Sequence, residues 1–238
     1  MACMKDLLQR PGWKYFINLT GQEYPLKTNL EIVRILKILN GANSIDATTN
    51  KKWKKLWKHL GNPHHKIRTY KGNTHIVACR GFVDYIMNNP IAKDFAKWVK
   101  NAVVPDETFF PSLNHNPHLK VPGSALVHIQ TNTRKPYIAR FKNWGAAWGD
   151  GIMNWPCKGK RVRDICIFGV GDLRLLTSRM ELFANKFYIN YQPRTFECIE
   201  EWLRERAMNE DKQNNTIDYE YYRNMEYLKY IYRNGTLV

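Results

Sequence analysis

The feature that most constrains the fold is a strand, a polar loop and a capped helix in direct succession near the amino terminus. Residues 13–19 are mostly apolar and are typical of a strand. After a loop, Thr28 and Glu31 stand at the spacing of a capping box, which predicts a helix that ends at the Asn40-Gly41 pair. This succession is the unit from which α/β folds are built, so the sequence predicts an α/β fold.

Residues 155–187 contain more candidate functional residues than any other segment. Cys157 and Cys166 flank a basic run, and they are close enough in sequence to close a disulfide loop if the compartment is oxidising. Residues 165–168 are typical of a short buried strand, and residues 169–172 of the turn that ends it. The pattern then predicts a helical run to the end of the segment.

The pair Gly169 and Gly171 after this strand invites comparison with dinucleotide-binding turns. The third glycine of that motif is missing, since Arg174 stands in its place, and Asp172 would repel an anion at the turn. The sequence therefore predicts no dinucleotide site here. The two glycines are expected to serve a turn that needs positive φ.

Two cations, Arg163 and Lys186, lie on either side of this strand, turn and helix unit. A fold could bring both to one anionic ligand, although each is also consistent with a solvated surface charge. Further upstream, Asp106 and Glu107 follow Pro105 and suit the positive end of a helix. The functional alternative for this pair is that a carboxylate held among apolar groups acts as a general base.

The net charge of +16 and the isoelectric point of about 9.7 suit a nucleic-acid binder, a membrane-surface protein or an enzyme for nucleotide-linked substrates. The basic residues are scattered among aromatic and aliphatic ones and form no known nucleic-acid-binding motif, so we predict no nucleic-acid partner. The five cysteines contain no Cys-x-x-Cys pair, and none stands beside histidines at zinc-ligand spacing. We therefore predict no metal site.

No signal for secretion or membrane insertion is found. The sequence contains no run of about 18 apolar residues, and its amino terminus lacks the apolar core of a signal peptide. Glycosylation sequons begin at Asn18, Asn214 and Asn234, of which Asn18 lies in an apolar run and is expected to be buried. Asn214 and Asn234 remain as candidate acceptors.

A set of short runs, in a fixed order and approximate spacing from about Cys3 to Arg206, matches a known family. The runs are residues 13–19 (WKYFINL), 27–33 (KTNLEIV), 105–107 (PDE), 163–169 (RDICIFG), 171–173 (GDL) and 182–187 (LFANKF). Through these runs the chain resembles the core-2 and I-branching β-1,6-N-acetylglucosaminyltransferases of glycosyltransferase family 14.

The resemblance implies an α/β fold of the GT-A type in a lumenal enzyme of the Golgi membrane. It implies transfer of N-acetylglucosamine, with inversion, from its uridine-diphosphate form (UDP-GlcNAc) to a 6-hydroxyl of galactose or N-acetylgalactosamine in O-glycan branching. The partners are then a nucleotide-sugar donor and a glycan or glycoprotein acceptor. Glu107 would be the catalytic base, and Arg163 and Lys186 would replace a metal on the diphosphate, so no cofactor is expected.

The resemblance also assigns acceptor contacts to Asp46, Lys52 and Trp144. Two departures leave the acceptor's identity open. Ala146 replaces an aromatic residue of the core-2 branch, and Thr20 stands where core-2 enzymes carry a free cysteine.

The family match further predicts that Cys157 and Cys166 are bonded to each other. It implies that residues 1–206 are the carboxyl-terminal part of a catalytic domain. Beyond Arg206 the sequence itself is charged and rich in tyrosine, which predicts an exposed, helical tail at 207–238. The membrane anchor, the stem and the strands that hold uracil are then expected to be absent. Cys3 and Cys198 resemble cysteines whose partners lie in that missing part.

Three functions stay open at this point: a branching transferase, a non-catalytic sugar-binding relative, and a basic nucleic-acid-binding domain. A xylosyltransferase of the same family is the nearest enzymatic alternative.

Overall fold

Helices and strands are mixed along the described part of the chain, as expected for an α/β protein. The structure is a computed structural model that describes residues 1–48, 51–124, 137–145, 155–210, 217–233 and 236–237. The helices are α1 (Ala2–Leu8), α2 (Asn29–Leu39), α3 (Arg80–Asn88), α4 (Pro90–Val99), α5 (Asp106–Asn114), α6 (Leu173–Thr177), α7 (Arg194–Met208) and α8 (Tyr219–Arg223). The strands are β1 (Tyr15–Ile17), β2 (Glu23–Pro25), β3 (Ala47–Thr48), β4 (Lys71–Gly72), β5 (Val77–Cys79), β6 (Lys160–Val162), β7 (Ile165–Ile167), β8 (Phe183–Asn185), β9 (Tyr232–Arg233) and β10 (Thr236–Leu237).

The predicted strand and capped helix near the amino terminus are confirmed. Thr28 Oγ1 accepts a hydrogen bond from the Glu31 amide at 3.2 Å, and Glu31 Oε2 accepts one from the Thr28 amide at 2.9 Å. Helix α2 ends as predicted, because Asn40 and Gly41 adopt φ of 42° and 89°, which turns the backbone out of the helix. The strand β1 is shorter than its apolar run.

The chain divides into two compact units. The first unit contains residues 1–18, 36–137 and 220–238, and the second contains residues 19–35 and 138–219. Each unit has its own apolar core and is described separately below.

The core of the first unit lies between helices α3 to α5 and the antiparallel pair of β1 and β5. The chain leaves α3 and enters α4 without a loop, because Asn89 caps α4 through a hydrogen bond from the Ile91 amide at 2.9 Å and Pro90 takes the first helical position. The sequence predicts helices at 81–88 and 91–100 that are broken at Pro90, and the structure confirms this break. Among the residues of this core are Ile76, Ala78, Phe82, Val83, Ile86, Phe95, Val99, Phe109 and Leu113.

The carboxyl-terminal segment packs into the first unit. Tyr222 and Ile231 are buried, and the backbone of Tyr232 exchanges hydrogen bonds with Gly123 and Ser124 at 2.9 and 3.0 Å. The expectation of an exposed tail is wrong for these residues. The charge pattern of the segment predicted exposure. Burial of a few of its aromatic and aliphatic side chains against an apolar surface outweighs that pattern.

The second unit is organised by short strands. β2 pairs with β8 and β6 pairs with β7, both antiparallel. Residues 141–144 connect the two pairs, because Phe141 forms a bridge with Ala184 of β8 and Trp144 forms one with Ile165 of β7. The buried residues of this core are Leu26, Phe141, Cys166, Phe168, Leu176, Ala184, Phe187 and Ile199.

The helical run predicted up to Phe187 is only partly present. Helix α6 ends at Thr177, and Phe183–Asn185 form the strand β8. The Phe141 amide donates to the Phe183 carbonyl at 2.8 Å, and the Asn185 amide donates to the Phe141 carbonyl at 2.9 Å. Strand partners on both sides of β8 therefore outweigh the local helical preference.

The turn after β7 differs from its predicted form. Gly169 has φ of −129°, so this turn does not use the left-handed conformation that was expected. A Cβ atom at Gly169 would lie 2.4 Å from Oε1 of Gln192, which accepts a hydrogen bond from the Val170 amide at 2.8 Å, so a larger residue would displace that side chain. The buried carboxylate of Asp172 accepts hydrogen bonds from the amides of Gly169 and Lys158 at 3.0 and 2.8 Å, which leaves no place for an anion.

Some predictions concern residues outside the described part of the chain. These are most of the strand that the weak alternation at 124–129 predicts, the substitution at Ala146, and the sequons at Asn214 and Asn234. The amide of Asn18 is engaged on both sides, because Nδ2 donates to the Thr74 carbonyl at 2.9 Å and Oδ1 accepts from the Ile76 amide at 2.8 Å.

Of the helices described, none is both long and apolar enough to cross a membrane.

Candidate functional site

Glu107 lies in the first turn of α5, where the sequence predicted a helix start. Thr108 and Phe109 face the core of the first unit, whereas the Glu107 side chain retains 26% of its exposure at the edge. The apolar enclosure expected from Phe109 and Phe110 is therefore incomplete, and solvent reaches the carboxylate.

Lys71 is the partner of this carboxylate. Its Nζ lies 2.9 Å from Glu107 Oε2, with side-chain exposures of 16% and 26%. Lys71 Nζ also donates to the Gly72 carbonyl at 2.8 Å and stands 5.1 Å from the centre of the Trp53 ring. The ion pair is half-buried, and its lysine has a further hydrogen bond and an aromatic contact. Such a pair is more restricted in orientation than an exposed one.

Asp46 lies beside the same strand pair. It directly precedes β3, which pairs with β4 so that Ala47 faces Gly72 and Thr48 faces Lys71. Asp46 Oδ2 accepts a hydrogen bond from Asn73 Nδ2 at 2.8 Å. We refer to Asp46, Trp53, Lys71, Asn73 and Glu107 as the Glu107 cluster, all within the first unit.

Gly72 allows this cluster to form. A Cβ atom at Gly72 would lie 1.9 Å from the Asp46 carbonyl oxygen and 2.6 Å from Cγ of Pro111. Any larger residue would therefore push β4 away from both β3 and α5. Trp57 Nε1 adds a further tie to α5 through a hydrogen bond to Thr108 Oγ1 at 2.9 Å.

Lys52 belongs to the 3-10 helix Lys51–Leu56, next to Trp53. Its side chain lies outside the described part of the structure, so its predicted acceptor contact stays a prediction. The basic and aromatic residues of this segment predict a solvated helix with two buried tryptophans. The structure has a 3-10 helix there, and Trp53 and Trp57 are half-buried.

In the second unit, Arg163 stands at the tip of the hairpin formed by β6 and β7. Val162 pairs with Ile165, so Arg163 and Asp164 form a two-residue turn, and their φ values are 49° and 66°. Such turns favour Asn and Gly, because positive φ is strained for other residues. Arg163 is exposed, and its guanidinium has no hydrogen bond or ion pair within the described ranges.

The turn is held from three sides. Arg161 donates to the carbonyl oxygens of Asp164 at 3.1 Å and Asn143 at 3.3 Å. The Gly145 amide donates to the Asp164 carbonyl at 2.8 Å. The disulfide between Cys157 and Cys166, which the sequence predicted, ties the base of the hairpin to the preceding loop. Strained residues persist where the surroundings determine them in this way.

Trp144 lies next to this turn. It forms an antiparallel bridge with Ile165, two residues after Arg163, and it is half-buried. The structure thus brings together in one unit two residues for which the sequence predicted different ligands, the acceptor for Trp144 and the donor diphosphate for Arg163.

Lys186 follows β8 and is half-buried. Its carbonyl accepts a hydrogen bond from the Phe168 amide at 2.9 Å, which puts its backbone at the far end of β7 from the Arg163 turn. The strand from Ile165 to Phe168 spans about 10 Å at ordinary strand rise. The two backbones are therefore apart, and a shared anion would depend on the reach of both long side chains.

One group of potential metal ligands is found among the described residues. Atoms of Cys157, Cys166 and Asp172 lie within 4.8 Å of one another. Both sulfur atoms belong to the disulfide, and Asp172 already accepts two backbone hydrogen bonds. This group therefore stabilises the turn after β7 and offers no thiolate to a metal.

The sequence did not point to Lys71, Trp53, Asn73 or Arg161 as members of a site. Lys71 lies in a polar, basic segment in which no spacing distinguishes one lysine from the next. Its role depends on the pairing of β3 with β4 and on the packing of α5, both of which are tertiary contacts.

Comparisons with known proteins agree with the resemblance seen in the sequence. The family model described as "Branch: Core-2/I-Branching enzyme" matches residues 1–177. A protein of Ovis aries named beta-1,3-galactosyl-O-glycosyl-glycoprotein beta-1,6-N-acetylglucosaminyltransferase 3 is 36% identical over 229 aligned positions, which cover 87% of this chain and 51% of that protein. The Homo sapiens protein of the same name is also 36% identical and is covered over 52% of its length.

A viral protein is similar to the same extent. The beta-1,3-galactosyl-O-glycosyl-glycoprotein beta-1,6-N-acetylglucosaminyltransferase of Bovine herpesvirus 4 is 34% identical, with 87% of this chain and 52% of that protein covered. The chain spans about half the length of the curated relatives it matches.

Proposed function

This chain belongs to the core-2/I-branching enzyme family, and we propose that it is part of a glycosyltransferase that moves N-acetylglucosamine from UDP-GlcNAc to a sugar 6-hydroxyl. The acceptor is a galactose or N-acetylgalactosamine residue of an O-glycan, where the transfer creates a branch. The names of the relatives support the reaction class. The structural support is the partly exposed carboxylate of Glu107, with one oxygen held by Lys71 and the other without a described contact.

Glu107 is the general base in this proposal. The acceptor's 6-hydroxyl oxygen attacks C1 of N-acetylglucosamine while its proton passes to Glu107. The new bond forms between that oxygen and C1, and the bond from C1 to the diphosphate breaks with its electron pair on the leaving oxygen. A single displacement of this kind inverts the configuration at C1. Proton removal by a positioned carboxylate contributes typically 10²–10⁴-fold to the rate.

Arg163 and Lys186 bind the donor diphosphate in this proposal. A leaving diphosphate gains negative charge, and fixed cations stabilise that charge as a metal would. Arg163 is suited to the role because its guanidinium is exposed and unpaired in the described residues and its backbone is held from three sides. The reaction is then independent of an added metal or other cofactor.

Asp46, Lys52 and Trp144 are the proposed acceptor contacts. A half-buried tryptophan such as Trp144 can stack on the apolar face of a sugar, and Asp46 offers a carboxylate to sugar hydroxyls. The acceptor is a glycan or glycoprotein.

The proposed fold and cellular location of the whole protein follow those expected for the family. Its catalytic domain has the GT-A type of α/β fold, with residues 1–206 as the carboxyl-terminal part and residues 207–238 as a charged, tyrosine-rich segment that follows it. The enzyme works on the lumenal side of the Golgi membrane. It acts on no nucleic acid.

The test compares two neighbouring carboxylates in the full-length protein that contains this chain. Glu107→Gln keeps the size of the side chain but cannot take a proton, so turnover should fall by roughly 10²–10⁴-fold while UDP binding is retained. Asp106→Asn is the matched control, because Asp106 is exposed in the same helical turn and has no partner in the described structure. Its turnover should stay near normal.

Labelled UDP-GlcNAc and a disaccharide acceptor with a free 6-hydroxyl serve as substrates, and UDP-xylose replaces the donor in a parallel assay. Normal turnover in Glu107→Gln would refute the base assignment. Preference for UDP-xylose would identify a xylosyltransferase, and UDP binding without transfer to any acceptor would identify a sugar-binding relative.

A further inference from the structure

Lys71 has no role in the chemistry described above, yet it makes the one described contact of the Glu107 side chain. The ion pair joins Nζ to Oε2 at 2.9 Å, and Oε1 has no partner among the described residues. The two oxygens of the carboxylate are therefore unequal. One is engaged by the protein, and the other is open to a hydroxyl group.

The position of Lys71 is itself determined by the protein. Thr48 and Lys71 are paired residues of β3 and β4, which fixes the strand that carries the lysine. The ammonium group also donates to the Gly72 carbonyl at 2.8 Å and lies 5.1 Å from the Trp53 ring centre. A lysine side chain with three contacts has fewer accessible conformations than a free one. It can therefore hold the carboxylate that it contacts in one orientation.

We propose that Lys71 is a positioning residue for Glu107. Its ion pair to Oε2 holds the Glu107 side chain in one orientation and leaves Oε1 as the oxygen that takes the acceptor's proton. This inference rests on the proposed function, since it assigns Glu107 the role of base. Lys71 contacts neither substrate in it and acts through Glu107 alone.

Orientation of a base matters because proton transfer requires close approach of the reacting groups. A misplacement of about 1 Å can lower a rate by about 10²-fold. A carboxylate at the edge of a helix, with 26% of its side chain exposed, has several accessible rotamers unless a partner selects one. Loss of Lys71 should therefore reduce turnover more than it reduces binding.

The experiment measures kcat and KM of the full-length protein for donor and acceptor. Lys71→Met removes the charge and keeps much of the volume, and we expect kcat to fall roughly 10–100-fold with both KM values changed less than about threefold. Lys71→Arg keeps a cation and should recover most of that loss. Lys97→Met is the control, because Lys97 is an exposed lysine of α4 in the same unit with no described partner.

A double variant separates positioning from a structural role. In the Glu107→Gln background, Lys71→Met should cause no further loss of kcat, because the group it positions no longer takes the proton. Equal losses in both backgrounds would overturn the inference, as would full activity of Lys71→Met where Glu107→Gln alone is impaired. Normal turnover of Glu107→Gln would refute the proposed function itself, and the role of Lys71 with it.

Discussion

The ammonium group of Lys27 is buried against the backbone of Arg179, to whose carbonyl oxygen Nζ donates a hydrogen bond of 2.6 Å. A second bond of 3.2 Å goes to the Leu26 carbonyl. Burial lowers the pKa of Lys27 from 10.5 to about 8, against the opposing effect of the Glu31 carboxylate. A charged lysine in this position is thus destabilised by desolvation that its two carbonyl partners offset only in part.

This relationship predicts how stability depends on pH. Because the folded pKa lies below the unfolded one, the folded chain holds fewer protons on Lys27 between pH 8 and pH 10.5. The free energy of unfolding should therefore rise across this window, by up to about 3 kcal/mol from this residue. Urea denaturation at several pH values, compared with Lys27→Met, measures it. The same pH slope in both proteins would contradict the prediction.

The disulfide between Cys157 and Cys166 should contribute measurably to stability. The bond closes a loop with a sequence separation of 9, for which loop-closure entropy gives about 2–3 kcal/mol. We expect the Cys157→Ala, Cys166→Ala double variant to lose that much unfolding free energy and non-reducing peptide mapping to recover the bonded pair from the native protein. Recovery of both as free thiols from secreted protein would refute the pairing.

Gly145 should be intolerant of a larger side chain. A Cβ atom there would lie 1.9 Å from Oδ1 of Asp164, in the strained turn that carries Arg163. Gly145→Ala should cost about 1–3 kcal/mol of stability and weaken UDP binding by displacing that turn. Gly21→Ala is the control, because its Cβ would meet nothing within 4 Å. Equal behaviour of the two variants in thermal unfolding and UDP titration would contradict the argument.

Removal of either proposed diphosphate cation should weaken donor binding and turnover together. Arg163→Ala and Lys186→Ala should each cost about 2–4 kcal/mol in the transition state, measured as kcat/KM for UDP-GlcNAc in the full-length protein. Added manganese should restore neither. Exposed Arg174, on α6 in the same unit, provides the control Arg174→Ala. Rescue by manganese would show that a metal shares the site.

The net charge of +16 should produce only weak nucleic-acid binding. We expect affinity for DNA and RNA to be weaker than about 1 μM at physiological salt and to lack sequence preference, as for any basic surface. Fluorescence anisotropy with two unrelated oligonucleotides over a salt series measures this. Tight, sequence-selective binding would contradict the transferase assignment.

The sequence predicted the structure correctly where residues close together in the chain determine it. Thr28 and Glu31 cap α2 as their spacing predicts, and Pro90 separates α3 from α4. These features depend on backbone groups within about one helical turn. The strand β8 was missed because residues far away in the sequence supply its hydrogen bonds.

By itself, the sequence determined the mixed helix and strand composition, the disulfide between Cys157 and Cys166, and membership of the family, since caps, turns and matched runs are local properties of the chain. Only the tertiary structure decided that Lys71 meets Glu107, that Arg163 occupies a strained two-residue turn, and that Tyr222 is buried. These three facts depend on strand register and on which apolar surfaces meet. Both are determined by the free energy of packing the whole chain, which depends on contacts between residues far apart in the sequence.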